Sequence, residues 1–278
     1  LGEDMKNIKF VVIGIIALLF LSGCFQVERI IKVNKDGSGT IEETVLMSQE
    51  FIDQMKQMAM SFGGSKVEGK RDESEYHNIE DLKRNASKMG EGVEYVSSKP
   101  MERDGKLGYH AIYSFNDISK IKIDENPADN MLGNSGMGED NQEMHFAFKK
   151  GSTSELTISF PYEEDEGDYE EIDYEEESDE NESISDQDLE MMKAMYAGMK
   201  ISVKVVVNGK IVKTNATHKE ENTIILSEID FDEIMKDEKA FKALAGSKEA
   251  SDKEMKRSMG QYSGFKADMN DEIVIKFK

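Results

Sequence analysis

The chain has one cysteine, Cys24, and it falls immediately after an apolar run. That placement constrains the fold more than any other feature. Lys6 and Lys9 supply a short positive stretch after Met5, and Phe10 to Phe20 follow as eleven uncharged residues. A helix that spans a bilayer needs about 20 apolar residues, so this run is too short to stay as one. Positive, then apolar, then small Ser22 and Gly23 is the order of a removable secretory signal. Cleavage between Gly23 and Cys24 leaves residues 1–23 as the signal and 24–278 as the folding chain. The folding chain then has no second thiol, no disulfide can close a loop, and burial and hydrogen bonding must hold the fold. Leu1-Gly2-Glu3-Asp4 put two acids ahead of Met5 and read as upstream translation rather than as part of the signal.

Leu21-Ser22-Gly23-Cys24 resembles the lipobox of bacterial lipoproteins. The resemblance implies a diacylglyceryl thioether on Cys24, cleavage before it, and acylation of the new amino group with a fatty acid such as palmitate. Two or more acyl chains hold a protein stably on a membrane, whereas one gives only marginal binding. The expected partner of Cys24 is therefore the membrane of the bacterial cell envelope. Phe25 follows where Asp retains lipoproteins in the inner membrane of some bacteria, which leans the expectation toward the outer membrane where there are two.

The net charge of −22 is largely local: Glu163 to Glu182 holds fourteen acids in twenty residues and no Lys or Arg. Such a block repels itself and has too little apolar surface to offset the entropy of ordering, so it reads as a disordered insert at 163–182. The remainder offers no basic stripe, which speaks against nucleic acid as a partner.

Alternating and β-branched residues over Val27–Val33 and Thr40–Met47 flank the turn signal Asn34-Lys35-Asp36-Gly37-Ser38-Gly39 and predict a hairpin. Ser48 caps an expected helix whose face carries Phe51, Ile52, Met55, Met58 and Ala59, ended by Gly63-Gly64. A second helix is expected over Asn78–Met89. Strands follow at Val93–Ser98 and Tyr109–Phe115, then a cap at Asn116-Asp117 that opens a short helical turn. Residues 124–141, with Pro127 and three glycines, read as a mobile loop. Met144–Lys149 and Leu156–Phe160 form the next pair around Gly151. A helix capped by Ser185 or Asp186 runs to Ala197, and Ile201–Val207 joins Ile211–Thr214 through Asn208-Gly209 as a second tight hairpin. Thr223–Leu226, a helix over Phe231–Leu244, a polar loop or frayed helix over Gly246–Gly264 and a last strand at Ile273–Phe277 complete the chain. Adjacent hairpins interrupted by helices predict a single α+β domain, a mainly antiparallel sheet with helices packed on one face.

Chemistry-bearing patterns are sparse. An EF-hand register through Asn34, Asp36, Gly37 and Glu43 puts Lys32 at the first position, where a carboxylate is required. Four histidines, at 77, 110, 145 and 218, lack metal-ligand spacing, so structural roles are favoured. Gly133-Asn134-Ser135-Gly136 lacks the spacing of a nucleophile elbow, and Gly136 and Gly138 fall short of a dinucleotide loop. No catalytic constellation, metal or cofactor is implied. Met191, Met195 and Met199 share one helical face. The bland reading is adaptable core filling; the sharper one is an apolar groove for a lipid chain or a partner helix.

A lipobox, a strand, Val33-Asn34-Lys35-Asp36-Gly37-Ser38-Gly39 and a second strand resemble the start of LppM-like bacterial lipoproteins. The run from Val205 to Ala216 is similar to the late hairpin of that domain. The resemblance implies an α+β, non-enzymatic envelope domain, with lipid or glycolipid binding proposed for some members. The chain departs from many relatives in its long acidic insert and in showing no C-terminal membrane helix. The expected function is thus a membrane-anchored binding or interaction module for an unidentified envelope protein or lipid. A lipid carrier or sensor is the alternative, and an envelope hydrolase a more distant one.

Overall fold

The computed structural model describes residues 25–53, 76–124, 127, 143–160, 189–190, 192–193, 196–246 and 252–278. Cys24, Met191 and Met195, most of the expected loop at 124–141 and all of the acidic insert at 163–182 lie outside the described residues. So does the first helix beyond residue 53, with Met55, Met58 and Met60.

The fold is α+β with mostly antiparallel pairing, in two sheets. The larger sheet begins with β1 (Phe25–Val33) and β2 (Gly39–Met47), paired in the expected hairpin register with Val33 opposite Gly39 and Phe25 opposite Met47. In the turn, Gly37 adopts φ +91°, and Ser38 donates from both N–H and hydroxyl to the Asp36 carboxylate. The Gly37 carbonyl accepts from Ile118 N (2.9 Å) and the Lys35 carbonyl from Ser154 Oγ (2.9 Å). The turn motif therefore ties the two sheets together, and its Asp36 carboxylate, itself exposed, is held by Ser38 within the turn.

Residues 49–53 are helical, with Ser48 Oγ accepting from Phe51 N. α1 (Ile79–Lys88) is capped by Asn78, whose side chain accepts from Glu80 N and Asp81 N, and it buries Leu82 and Ala86. β3 (Glu94–Arg103) and β4 (Lys106–Phe115) are longer than expected. β3 is an edge strand, the place in a sheet where a proline such as Pro100 is tolerated. Asp104 (φ 54°) and Gly105 (φ 74°) close the pair as a two-residue turn with both residues left-handed. Asp117 caps the 3-10 turn Ile118–Lys120.

β5 (Ile123–Asp124), β6 (Glu143–Lys149) and β7 (Ser154–Ser159) open the second sheet. β8 (Lys200–Val207) returns to the first and lies parallel to β1, the one parallel pair among the described strands. β9 (Ile211–Thr214) corrects the second expected hairpin: it does not pair with β8 but joins the second sheet beside the final strand. Both edges of β8 are already taken, by β1 and by β11 (Thr223–Asp230), so Asn208-Gly209 carries the chain across to the other layer. The short β10 (Lys219–Glu220) pairs with β11. The expected helix over 231–244 is broken into α2 (Phe231–Ile234) and α3 (Glu238–Gly246). Asp237 accepts from Lys239 N and Ala240 N, starting a new helix where continuation was expected. The polar stretch 246–264 contains α4 (Asp252–Met259), and β12 (Phe265–Ala267) and β13 (Glu272–Phe277) end the chain.

The sheet orders are β10-β11-β8-β1-β2-β4-β3, with β12 also on β11, and β5-β6-β7-β13-β9. Alternate residues of β1, β4, β8, β7 and β13 meet with Leu82 and Ala86 of α1 in one continuous core. The larger sheet is thus covered by a second sheet as well as by α1, rather than by helices alone. Helices α2 to α4 form a smaller cluster with β12 around Ile234, Met259 and Phe265.

Candidate functional site

The inward face of β1 reads Phe25, Val27, Arg29, Ile31 and Val33, all buried. Four of the five are apolar, as a sheet face against a core requires, and Arg29 breaks the pattern. Its partner stands directly across the hairpin: Arg29 and Glu43 are register neighbours, each 5% exposed. Arg29 Nε and Nη2 both donate to Glu43 Oε2, at 3.2 and 2.6 Å. On the next strand Tyr109 Oη donates to the other carboxylate oxygen at 2.9 Å. Both oxygens of Glu43 are thereby engaged, and the charge is compensated where water is scarce.

Burial first, then the Glu43 charge, pushes the Tyr109 phenol well above the ordinary tyrosine range, which keeps it a donor. The same two causes raise Tyr113, four residues along the same face. Its hydroxyl is the one fully buried side-chain polar atom without a partner among the described residues. Tyr95 packs edge-on against Tyr113 and shares Ser98 Oγ with His77 Nε2, each at 2.7 Å.

A small cavity of about 90 Å³ opens beside this cluster, lined by Arg29, Glu43, Asn85, Lys88, Tyr109 and Lys122 among others. A larger cleft of about 520 Å³ lies at the other end of β1, at its turn with β2. There the amides serve the turns: Asn208 Nδ2 donates to Asn34 Oδ1 (3.0 Å), Asn34 Nδ2 to Ser38 Oγ (3.1 Å), and Asn222 Nδ2 to the Val207 carbonyl (2.9 Å).

Of the residues singled out in the sequence, Met199 is described: it is half-buried and packs against the main core, and its carbonyl accepts from Phe231 N (3.1 Å). Met192 and Tyr196 pack against Leu189 and Phe241, and the Tyr196 ring stacks on Phe231 at 4.9 Å. The four histidines are not brought together. His77 lies in the tyrosine cluster, His110 Nδ1 meets Thr44 Oγ1 at 3.0 Å, and His145 stands exposed on β6. Among the described residues no group of three or more His, Cys, Asp or Glu is placed to hold a metal ion. No helix among them is long and apolar enough to cross a membrane.

Sequence reasoning missed Arg29 and Glu43, although a signal was present. In a hairpin with Val33 opposite Gly39, two charges at inward positions on neighbouring strands must face each other.

No family model and no curated protein matches the chain. Among solved structures it is similar to the folded domain of LppM from Mycobacterium tuberculosis, determined by NMR. The TM-score is 0.29 and the identity 13%, over 75% of this chain and 84% of that one. A likeness of that degree decides neither fold nor function, which rest on the chain's own residues.

Proposed function

We propose that the protein is a lipid-anchored lipoprotein of the bacterial envelope whose folded body is a non-enzymatic binding module. The carrying observation is the junction of signal and fold. The lipobox cysteine is followed directly by Phe25, which is buried, begins β1 and packs on Phe51 with ring centroids 5.5 Å apart. An acyl group on Cys24 would hold the body against the membrane with no spacer. The absence of chemistry-bearing patterns in the sequence supports binding over catalysis. So does the state of Glu43, whose two oxygens are occupied by Arg29 and Tyr109.

Labelled palmitate supplied to cells that make the wild type and Cys24→Ser tests the anchor. The wild type should carry label and sediment with membranes, and the variant should do neither. Label retained by Cys24→Ser, or a wild type free of both label and membranes, would overturn the reading. The alternative of a lipid carrier is checked by extracting purified protein for mass spectrometry. No lipid above that covalently attached should be recovered if the methionine face is only packing.

A further inference from the structure

The cavity beside the interior ion pair is lined by Arg29, Asn85 and Lys88 among others. A guanidinium has five N–H groups. Arg29 gives Nε and one Nη2 hydrogen to Glu43, and no other partner is found for it among the described residues. Arg29 lines the cavity. Asn85 and Lys88, from the last turns of α1, line the same cavity, and neither side chain has a partner among the described residues. Of the carboxylates nearby, Glu43 is engaged by Arg29 and Glu143 by Lys122 at 3.0 Å. Two cationic groups and an amide therefore line a space of about 90 Å³, Lys88 and Asn85 without a side-chain partner among the described residues. Guanidinium and ammonium groups bind oxyanions by charge-assisted hydrogen bonds, and the space is of the order of one such group.

We propose that this cavity binds a single phosphate group, held by Arg29, Asn85 and Lys88. The proposal rests on the reading of the body as a binding module; the anchor is tested separately by palmitate labelling, so the two can fail apart. Free phosphate and a phosphodiester headgroup share this chemistry. Calorimetric titration of the full chain in detergent with inorganic phosphate and with glycerophosphoglycerol distinguishes them, with equal ionic strength of sodium chloride as control. Saturable binding of either probe is expected, the tighter one naming the source. Arg29 variants leave Glu43 uncompensated and can fail to fold, so Lys88→Gln and Asn85→Ala carry the test. Lys88→Gln should weaken binding about tenfold or more, the scale of a hydrogen bond to a charged group. Asn85→Ala should weaken it less, and neither should change the melting temperature without phosphate by much. No saturable heat with either probe, heat equal to the chloride control, or unchanged affinity in both variants would overturn the proposal.

Discussion

Arg29 and Glu43 occupy positions that their strands otherwise give to Val27, Ile31 and Val45. Removing one partner leaves the other charge buried and costs about 3–5 kcal/mol, whereas replacing both with apolar residues is often neutral. Urea denaturation should therefore show Arg29→Met strongly destabilised and the double variant Arg29→Met/Glu43→Leu restored most of the way. A double variant no better than the single one would mean that the pair is needed for more than mutual compensation. Tyr109 gives a pH signature. Its folded pKa lies above its ordinary value near 10, so its contribution is complete below pH 10 and is lost as pH rises, because the unfolded chain ionises first. Tyr109→Phe should lose about 1.5–3 kcal/mol at pH 7, the worth of a hydrogen bond to a charged group, and show a shallower alkaline decline. Tyr113→Phe should be neutral or stabilising by about 1 kcal/mol, since it removes a buried hydroxyl that has no partner among the described residues. A clear loss in Tyr113→Phe would expose a missed partner.

The elements divide by how locally they are determined. The β1–β2 hairpin, the Ser48 cap and the Asp117 cap were legible because alternation, turn glycines and capping side chains act within a few residues. The β8–β9 hairpin was misread for the converse reason. Asn208-Gly209 does mark a tight turn, but the partner of β8 is β1, some 170 residues earlier, and no local pattern encodes a parallel pairing of that span. The break between α2 and α3 belongs with the local class, since Asp237 is a capping residue inside an otherwise helical pattern. Arg29 and Glu43 were readable from hairpin register, whereas Asn85 and Lys88 reach the same cavity only through tertiary packing. Glycines test the element scale directly. A Cβ at Gly39 would lie 1.9 Å from the Lys32 carbonyl oxygen and 2.6 Å from the Phe115 ring. Gly39→Ala should therefore cost at least about 3 kcal/mol, the upper end of overpacking. Gly105, at φ +74° with nothing within 4 Å of its added Cβ, should lose only about 1–2 kcal/mol as Ala, the strain of a left-handed backbone. Equal losses in the two variants, measured by urea denaturation, would contradict the packing described for β1 and β2.

For the whole molecule, stability rests on one apolar core shared by two sheets and α1, with a satellite cluster under α2 to α4. Deletion of the acidic insert at 163–182 should change stability by no more than about 0.5 kcal/mol, the range of surface changes. A large fall in melting temperature on deletion would assign the insert a structural part. The central claim is that the body is held to a membrane through Cys24. Its most direct test is mass spectrometry of the N-terminal peptide of protein taken from membranes. The account predicts a chain that begins at Cys24 and carries a diacylglyceryl thioether with a further acyl group on the amine. A mature chain beginning elsewhere, or an unmodified Cys24 thiol, would contradict it.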